Sequence, residues 1–486
     1  MYNPPSSASR KPVLPMSLLA LGAVLEGHHD YEIVDGNLEP DSYEAIINAF
    51  ERTGAKVLAI TVMPGPQLEH VVGLCPRIRA SHPNIIIVWG GYFPTQHWEV
   101  SIKAPYVDYI LRGHNELGLV ALLDEIKAGN KPKTVPGLAY DHSLGAKTNP
   151  LPDVPHPDEL PDYNYQKVDL NLYKRRTFMG QTTLSHNSSY GCPFFCNFCA
   201  VVNMVEGRWK AQSADRVAQV VHTLVQQHGA DSVEFQDNNF FTSEKRVLSF
   251  SKQIEHLGIS WWGEGRIDTM LKYKDETWAA MRDSGLRMVF LGAESGSDET
   301  LQRMDKGGSA TTEKTLFIAE KMAKYNIVPE MSFVMGNPPN PERDCAQTIE
   351  FIRKVKRVNP KTEIIMYMYT PVPLSGELYD QAVADGFAFP DTLEEWVSEK
   401  WLDFSQRRSA ELPWIKDPVR LAMKDFQSVL NAYYPTVTDV RFGRIPRTII
   451  RTAAAWRYKS RFYRYPLELK VLHRLFPYQR PETSGF

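Results

Sequence analysis

The sequence predicts an α/β protein in three parts: a doubly wound parallel sheet, then an incomplete β/α barrel of six steps, then a helical C-terminal region. Three observations predict it. Apolar strand-like runs alternate with helix-like segments over the first 140 residues. A second series of the same kind follows a proline-rich break. Beyond about Gly386 the strand signal fades and helical patterning takes over.

In the first part the strand-like runs are Tyr31–Asp35, Val57–Val62, Ile85–Trp89 and Val107–Leu111, with helical segments between them at Leu14–Gly27 and Glu69–Ala80. Continuous apolar strands joined through helices indicate a parallel sheet covered on both faces. Such sheets bind ligands beyond the carboxyl ends of their strands. The break is Asn149–Asp162, too rich in proline for a regular element. The second series has candidate strands at Leu184–Tyr190, Ser232–Gln236, Ser260–Arg266, Met288–Leu291, Glu330–Val334 and Glu363–Tyr369. The expected division is 1–145 for the first domain, 146–183 for a linker, 184–385 for the partial barrel and 386–486 for the helical region.

Composition limits the function classes. A chain of 486 residues is long for one core. Its 43% hydrophobic and 23% charged content is that of a globular protein. A net charge of −2 gives no global attraction to nucleic acid, which is not expected as a partner. No stretch reaches the roughly 20 apolar residues of a membrane span, and the N-terminus lacks the apolar core of a signal peptide. A cytoplasmic location is the expectation.

The five cysteines fall unevenly. Cys75 and Cys345 stand alone in helical segments and read as buried apolar side chains. Cys192, Cys196 and Cys199 lie within eight residues, directly after the first barrel strand. An odd count in so large a chain argues against a disulfide framework. Soft thiolates suit an iron–sulfur cluster or zinc. A structural zinc site normally takes four protein ligands, and no fourth cysteine is near. Three thiolates leave one iron of a [4Fe–4S] cluster open. Three unrelated core cysteines are the bland alternative.

The segment Gly191-Cys192-Pro193-Phe194-Phe195-Cys196-Asn197-Phe198-Cys199 resembles the Cys-x3-Cys-x2-Cys signature of the radical S-adenosylmethionine (SAM) superfamily. The resemblance spans roughly Leu184–Pro373. It implies a [4Fe–4S] cluster whose open iron binds SAM, and reductive cleavage of SAM to a 5′-deoxyadenosyl radical that abstracts a substrate hydrogen. An external electron donor such as flavodoxin or ferredoxin is then implied. Later segments match the family in order. Gln236, Asp237 and Asn238 end the second strand, where the family contacts the SAM amino group. Arg266, in WGEGRID, is placed to pair with the SAM carboxylate. Glu294, in LGAESG, is placed to accept from the ribose hydroxyls. Gly336, in VMGNP, lies where the family backs the adenine.

The N-terminal part resembles the Rossmann-like cobalamin-binding domain that precedes many radical SAM barrels. Gly90 and Gly91 end one strand. Gly113-His114-Asn115-Glu116 follows the next, where the family shows Gly-Glu-Gly-Glu. Gly90, Gly91, Gly113 and Glu116 are the cobalamin contacts this implies. The opening Asn3-Pro4-Pro5 resembles the end of a first strand. The Asp-x-His-x-x-Gly motif is missing, and His28, His29, His70 and His82 read as surface or packing residues, so no protein histidine is expected on cobalt. The implied activity is cobalamin-dependent methylation of an unactivated carbon. The alternative is a radical cyclase or rearrangement enzyme resembling the anaerobic Mg-protoporphyrin monomethyl ester cyclase, acting on a lipid or tetrapyrrole. An iron–sulfur protein of electron transfer or redox sensing is the non-enzymatic alternative.

Trp261, Trp262, Tyr367 and Tyr369 are candidate liners of a bulky, apolar substrate pocket, or core. Ten basic residues lie between Arg441 and Arg474 with one acid, Glu468, interleaved with aromatics. That pattern fits a solvated helical face on the barrel, peripheral contact with an anionic membrane, or nucleic acid.

Overall fold

Two separate parallel sheets organise the chain. The computed structural model describes residues 1–7, 12–141, 145–407, 410–436 and 443–476. The first sheet has seven strands: β1 (Tyr2–Asn3), β2 (Val34–Asp35), β3 (Val57–Thr61), β4 (Ile86–Gly90), β5 (Tyr109–Leu111), β6 (Leu138–Tyr140) and β7 (Lys147–Thr148). They lie in the order β2-β1-β3-β4-β5-β6-β7. The first five pair in parallel, whereas β5–β6 and β6–β7 pair antiparallel. The parallel sheet expected from the sequence is thus extended by two short antiparallel strands. Antiparallel neighbours need no crossover helix, so the chain can turn straight back after Tyr140. β7 also carries the sheet past residue 145.

The proline-rich stretch has only short 3-10 turns, at Pro157–Glu159 and further on. It is tied down along the second sheet. Arg216 donates to Asp158 O at 3.0 Å, to Leu160 O at 2.8 Å and to the Asp162 carboxylate at 2.8 Å.

The second sheet comprises β8 (Thr183–His186), β11 (Ser232–Phe235), β12 (Ser260–Gly265), β13 (Leu286–Glu294), β14 (Val328–Met335) and β15 (Glu363–Met368), with a separate ribbon of β9 (Ser189–Gly191) and β10 (Trp209–Ala211). All six strands of the sheet are parallel and in simple order, β15-β14-β13-β12-β11-β8. This is an open six-step β/α barrel. The helices beginning at Ala214, Glu244, Asp298 and Thr312 start on Ser213, Ser243, Ser297 and Thr311, whose hydroxyls each accept from a backbone N–H three residues on.

The predicted strand Leu184–Tyr190 is broken. β8 ends at His186, and Ser189–Gly191 leaves the sheet to pair antiparallel with Trp209–Ala211. Trp261, a candidate pocket liner, lies instead fully buried on the outer side of the sheet, among Phe235, Phe240, Phe241 and Phe250. Strand alternation decides this: Trp261 and Gly263 face the helices, and Trp262 and Glu264 face the lumen. Burying one such aromatic contributes roughly 1.5–3 kcal/mol.

From Glu377 onward the described chain is helical. Its helices touch both sheets' domains. Trp396 packs on Phe93 at 5.1 Å and His97 at 4.5 Å between ring centroids. Trp414 Nε1 donates to Gly336 O at 2.9 Å. Among the described residues, no helix is long and apolar enough to cross a membrane.

Candidate functional site

The β9–β10 ribbon closes the loop that carries the three cysteines. Gly191 has φ +75°, and a Cβ there would lie 2.2 Å from Arg208 O, so no side chain is tolerated at the loop's entrance. Behind the ribbon sits a buried pair, Asp237 and Arg246. Asp237 accepts from Ser188 N at 3.1 Å, from Ser188 Oγ at 2.8 Å and from Ser189 Oγ. Arg246 donates to Ser188 Oγ at 2.5 Å and to Gln212 O at 2.7 Å. Burial lowers the Arg246 pKa, and the charge of Asp237 counters it.

Cys196 is buried, and Cys192 and Cys199 are half-buried. Asn197 fastens the loop to the barrel, its N donating to Met304 O at 3.3 Å and its Nδ2 to Arg303 O at 2.7 Å. Arg266 Nη1 donates to Cys196 Sγ at 3.3 Å, and Asn239 Nδ2 lies 3.8 Å from Cys192 Sγ. Burial raises the Cys196 pKa, while Lys306 and Arg266 pull it the other way. The Cys199 thiol is pushed up to about 12, first by burial, with Cys196 and Cys192 adding to the effect. Among the described residues no group of His, Cys, Asp and Glu gathers on a single-ion centre. A soft three-thiolate set with a guanidinium and an ammonium beside it fits an anionic iron–sulfur cluster, whose ligands spread around several irons. Cys75 and Cys345 are buried in helices elsewhere, and burial raises both thiols.

The residues matched to SAM are placed differently from one another. Gln236 and Asn238 are exposed at the end of β11. Asp237 is fully buried and accepts from the Ser188 and Ser189 donors. Arg266 is also committed. Its Nε and Nη2 hold Asp268 at 3.1 and 2.9 Å, Nη2 also reaches Lys306 O at 2.8 Å, and the guanidinium lies 3.8 Å over the Phe194 ring. In this arrangement it props the cysteine loop. Glu294 is buried with φ +63°, and its Oε1 accepts from Lys306 Nζ at 2.6 Å. Gly336 is closed off by the C-terminal region: a Cβ there would lie 2.6 Å from Ile415 Cδ1. Its own neighbours on that side are Trp414 and Ile415. Tyr369 is likewise core against Trp414, while Trp262 donates to Glu330 Oε2 at 3.1 Å inside the lumen.

Sequence reasoning passed over Asn239 and Glu264. Asn239 is buried, and its Oδ1 has no partner. Glu264 sits on the lumen face of β12, paired in register with Phe290. Its carboxyl is pushed up to about 8, by burial first and Asp237 second, with no hydrogen bond offsetting either. The raised value favours the neutral acid in the folded state. This stabilising preference is fully present below the unfolded pKa of about 4.3 and is lost as pH rises through 8. In the apoprotein at pH 8.5, Glu264→Gln is expected to raise the urea midpoint above the parent's. The gain is at most a few kcal/mol, since each tenfold change in a protonation equilibrium is worth about 1.4 kcal/mol. At pH 4 the two midpoints should coincide. Parallel pH profiles would show that Glu264 is not desolvated.

The carboxyl edge of the first sheet meets the cysteine loop. Gln96 Nε2 donates to Ala200 O at 2.8 Å and Asn203 Nδ2 to Gln96 Oε1 at 2.9 Å. A Cβ on Gly113 would lie 3.1 Å from Met204 O. Gly91, at φ +95°, turns the chain against its own neighbour strand, 2.9 Å from Thr61 Oγ1 as measured to a built Cβ, and Gly90 abuts Leu111 O at 3.4 Å. His114 packs against Tyr190 with ring centroids 4.7 Å apart and planes tilted by 42°. Glu116 is buried, with Oε2 lacking a donor. An unmet acceptor at this edge suits the amide-fringed rim of a corrin, which carries donors. His29 pairs with Asp124 at 2.9 Å and His70 with Tyr2 Oη at 2.8 Å. His97, which no motif of the sequence marks, is half-buried and packs among Phe93, Phe389 and Trp396, and desolvation lowers its pKa to about 3.

Comparison with known proteins agrees with this arrangement. A B12 binding domain model matches residues 8–123, and a Radical SAM superfamily model matches residues 186–352. An uncharacterized methyltransferase of Pyrococcus horikoshii is 26% identical over 361 residues, covering 72% of this chain and 77% of that protein. The anaerobic magnesium-protoporphyrin IX monomethyl ester cyclase of a Synechocystis species is 26% identical over 364 residues, covering 72% and 71%. The radical SAM methyltransferase TsrM of Kitasatospora setae, solved with cobalamin and a [4Fe–4S] cluster bound, shares the fold with a TM-score of 0.62 at 17% identity, covering 76% of each chain. The chain thus joins a B12 binding domain to a radical SAM domain, with the cysteine loop where the two meet.

Proposed function

We propose that this protein is a cobalamin-dependent radical SAM enzyme that methylates an unactivated carbon of a bulky, apolar small molecule. The observation that carries the reading is the meeting of the B12-binding domain's strand ends with the cysteine loop, through Gln96, Gly113, Ala200 and Met204. When bound, the cluster and SAM would supply a 5′-deoxyadenosyl radical and the cobalamin a methyl group. In this reading Cys192, Cys196 and Cys199 hold the cluster, and Arg266 and Lys306 balance its negative charge. Asn239 orients the Cys192 side of the loop. Gln236, Asn238 and Glu294 stand at the strand ends where SAM would bind, and Glu116 takes a donor from the corrin. The lumen groups Trp262, Phe290 and Tyr367 give the substrate an aromatic wall. Reductive cleavage of SAM would need an electron from an external donor such as flavodoxin or ferredoxin.

The likeness to the Mg-protoporphyrin ester cyclase supports a second reading, radical cyclisation on the same scaffold without methyl transfer. Product analysis separates the two. Anaerobic turnover with isotopically labelled SAM is expected to yield a product heavier by one labelled methyl in place of hydrogen, together with 5′-deoxyadenosine. A product without label, formed alongside 5′-deoxyadenosine, would replace methylation with the cyclase reading.

A further inference from the structure

The last two described helices present a face that no other described residue covers. Sixteen large apolar side chains are exposed among the described residues, and eight of them lie between 445 and 475. In helix Arg444–Ser460 they are Ile445, Ile449 and Trp456, at 75%, 44% and 52% exposure. At 3.6 residues per turn these three fall within an arc of about 40°. In helix Leu467–Leu475 they are Leu467, Val471 and Leu475, at 65%, 55% and 66%. Their spacing puts them within about 80°. The opposite faces are committed: Tyr458 stacks on Tyr433 at 4.6 Å, and Ile450, Ala454 and Leu469 are buried. Helix Asp417–Tyr433 backs both, so both stripes turn outward.

Charge tells what the stripes meet. Arg444, Arg451, Lys459, Arg464 and Arg474 are exposed or half-buried around them. The only acid in the segment, Glu468, is bound by Arg457, which the structure buries and so removes from the surface. Arg441, the first of the ten basic residues, lies outside the described residues. What remains is apolar and cationic, with no free acid between. Five of the six stripe residues are aliphatic and give bases no stacking surface, which disfavours nucleic acid although Trp456, and Phe462 and Tyr465 between the helices, are exposed aromatics. Apolar stripes at i and i+4, flanked by arginine and lysine, match an interfacial helix: the aliphatic groups enter the acyl boundary and the cations reach lipid phosphates.

We infer that helices Arg444–Ser460 and Leu467–Leu475 form a docking face for an anionic lipid bilayer. This surface does not depend on the methylation reading, and its test needs no turnover. The full-length protein is centrifuged with extruded vesicles of phosphatidylcholine alone or with 30% phosphatidylglycerol (about one anion in three lipids). Pelleting is expected only with the anionic vesicles and is expected to weaken as salt shortens the Debye length. The triple variant Leu467→Ser, Val471→Ser, Leu475→Ser is expected to lose more than about tenfold of the binding. Ile445→Ser with Ile449→Ser is a second, independent variant, and unchanged thermal melts confirm that exposed positions were altered without unfolding. Trp456 fluorescence should be quenched by bromolipid in the anionic vesicles and not in a Trp456→Phe variant. Full recovery in the supernatant with both vesicle types overturns the inference. So does pelleting that both variants retain. A lipid-free dimer in sedimentation velocity that the variants dissociate would assign the face to a second copy of the chain instead.

Discussion

Alanine at any one of Cys192, Cys196 or Cys199 is expected to abolish both the cluster's charge-transfer absorbance and SAM cleavage. The three sulfurs lie on one loop, and both Cys192 and Cys196 bear on the titration of Cys199. A cluster held by three thiolates has no spare protein ligand, so loss of one leaves two irons open to solvent. Cys75→Ala and Cys345→Ala are the controls. Both thiols are buried in helices far along the chain from the loop, and neither substitution should change the absorbance of anaerobically reconstituted protein. An unaltered spectrum in the Cys196→Ala protein would refute the ligand set. Loss of the spectrum in the Cys345→Ala protein would point to a cluster elsewhere.

Asp237→Ala should be the most destabilising single change around the loop. Asp237 is fully buried and faces Arg246, also buried, through Ser188. Removing it strands a buried guanidinium and the Ser188 N–H. Breaking a buried pair by deleting one partner typically costs about 3–5 kcal/mol. The apoprotein's urea midpoint and the iron content after reconstitution should fall together, because the β9–β10 ribbon loses its anchor. Asp237→Asn keeps the shape without the charge and should fall between the two. The competing role, a contact to the SAM amino group, predicts an apoprotein of unchanged stability with weakened SAM binding. Calorimetric titration with SAM, beside the denaturation curves, decides between them.

Much of the architecture was legible because it is written locally. Six apolar runs separated by helical segments dictate a six-step β/α series, since each strand and helix shows its own period of 2 or 3.6 residues. The cysteine triad is legible for the same reason: its ligands sit within one loop. Boundaries were less legible. Leu184–Tyr190 reads as one strand, yet it breaks after His186 because Asp237, about 50 residues further on, draws Ser188 and Ser189 aside.

By itself, then, the sequence determined the order of the domains, the parallel barrel and the three thiols. The tertiary structure decided what each remaining polar group is for. Arg266 and Glu294 sit at the predicted strand ends, and each there is ion-paired, with Asp268 and with Lys306. Trp261 and Trp262 are neighbours in sequence and face opposite sides of the sheet. Arg457 reads as one more cation of a basic tail, and is buried against Glu468. Glu264, to which sequence reasoning assigned no role, lies in the lumen with its carboxyl favouring the neutral form. The physical reason is the same throughout. Period and motif are set by residues a few positions apart, whereas a charged group's role depends on its desolvation and on partners that only strand register and helix packing bring within a few ångströms.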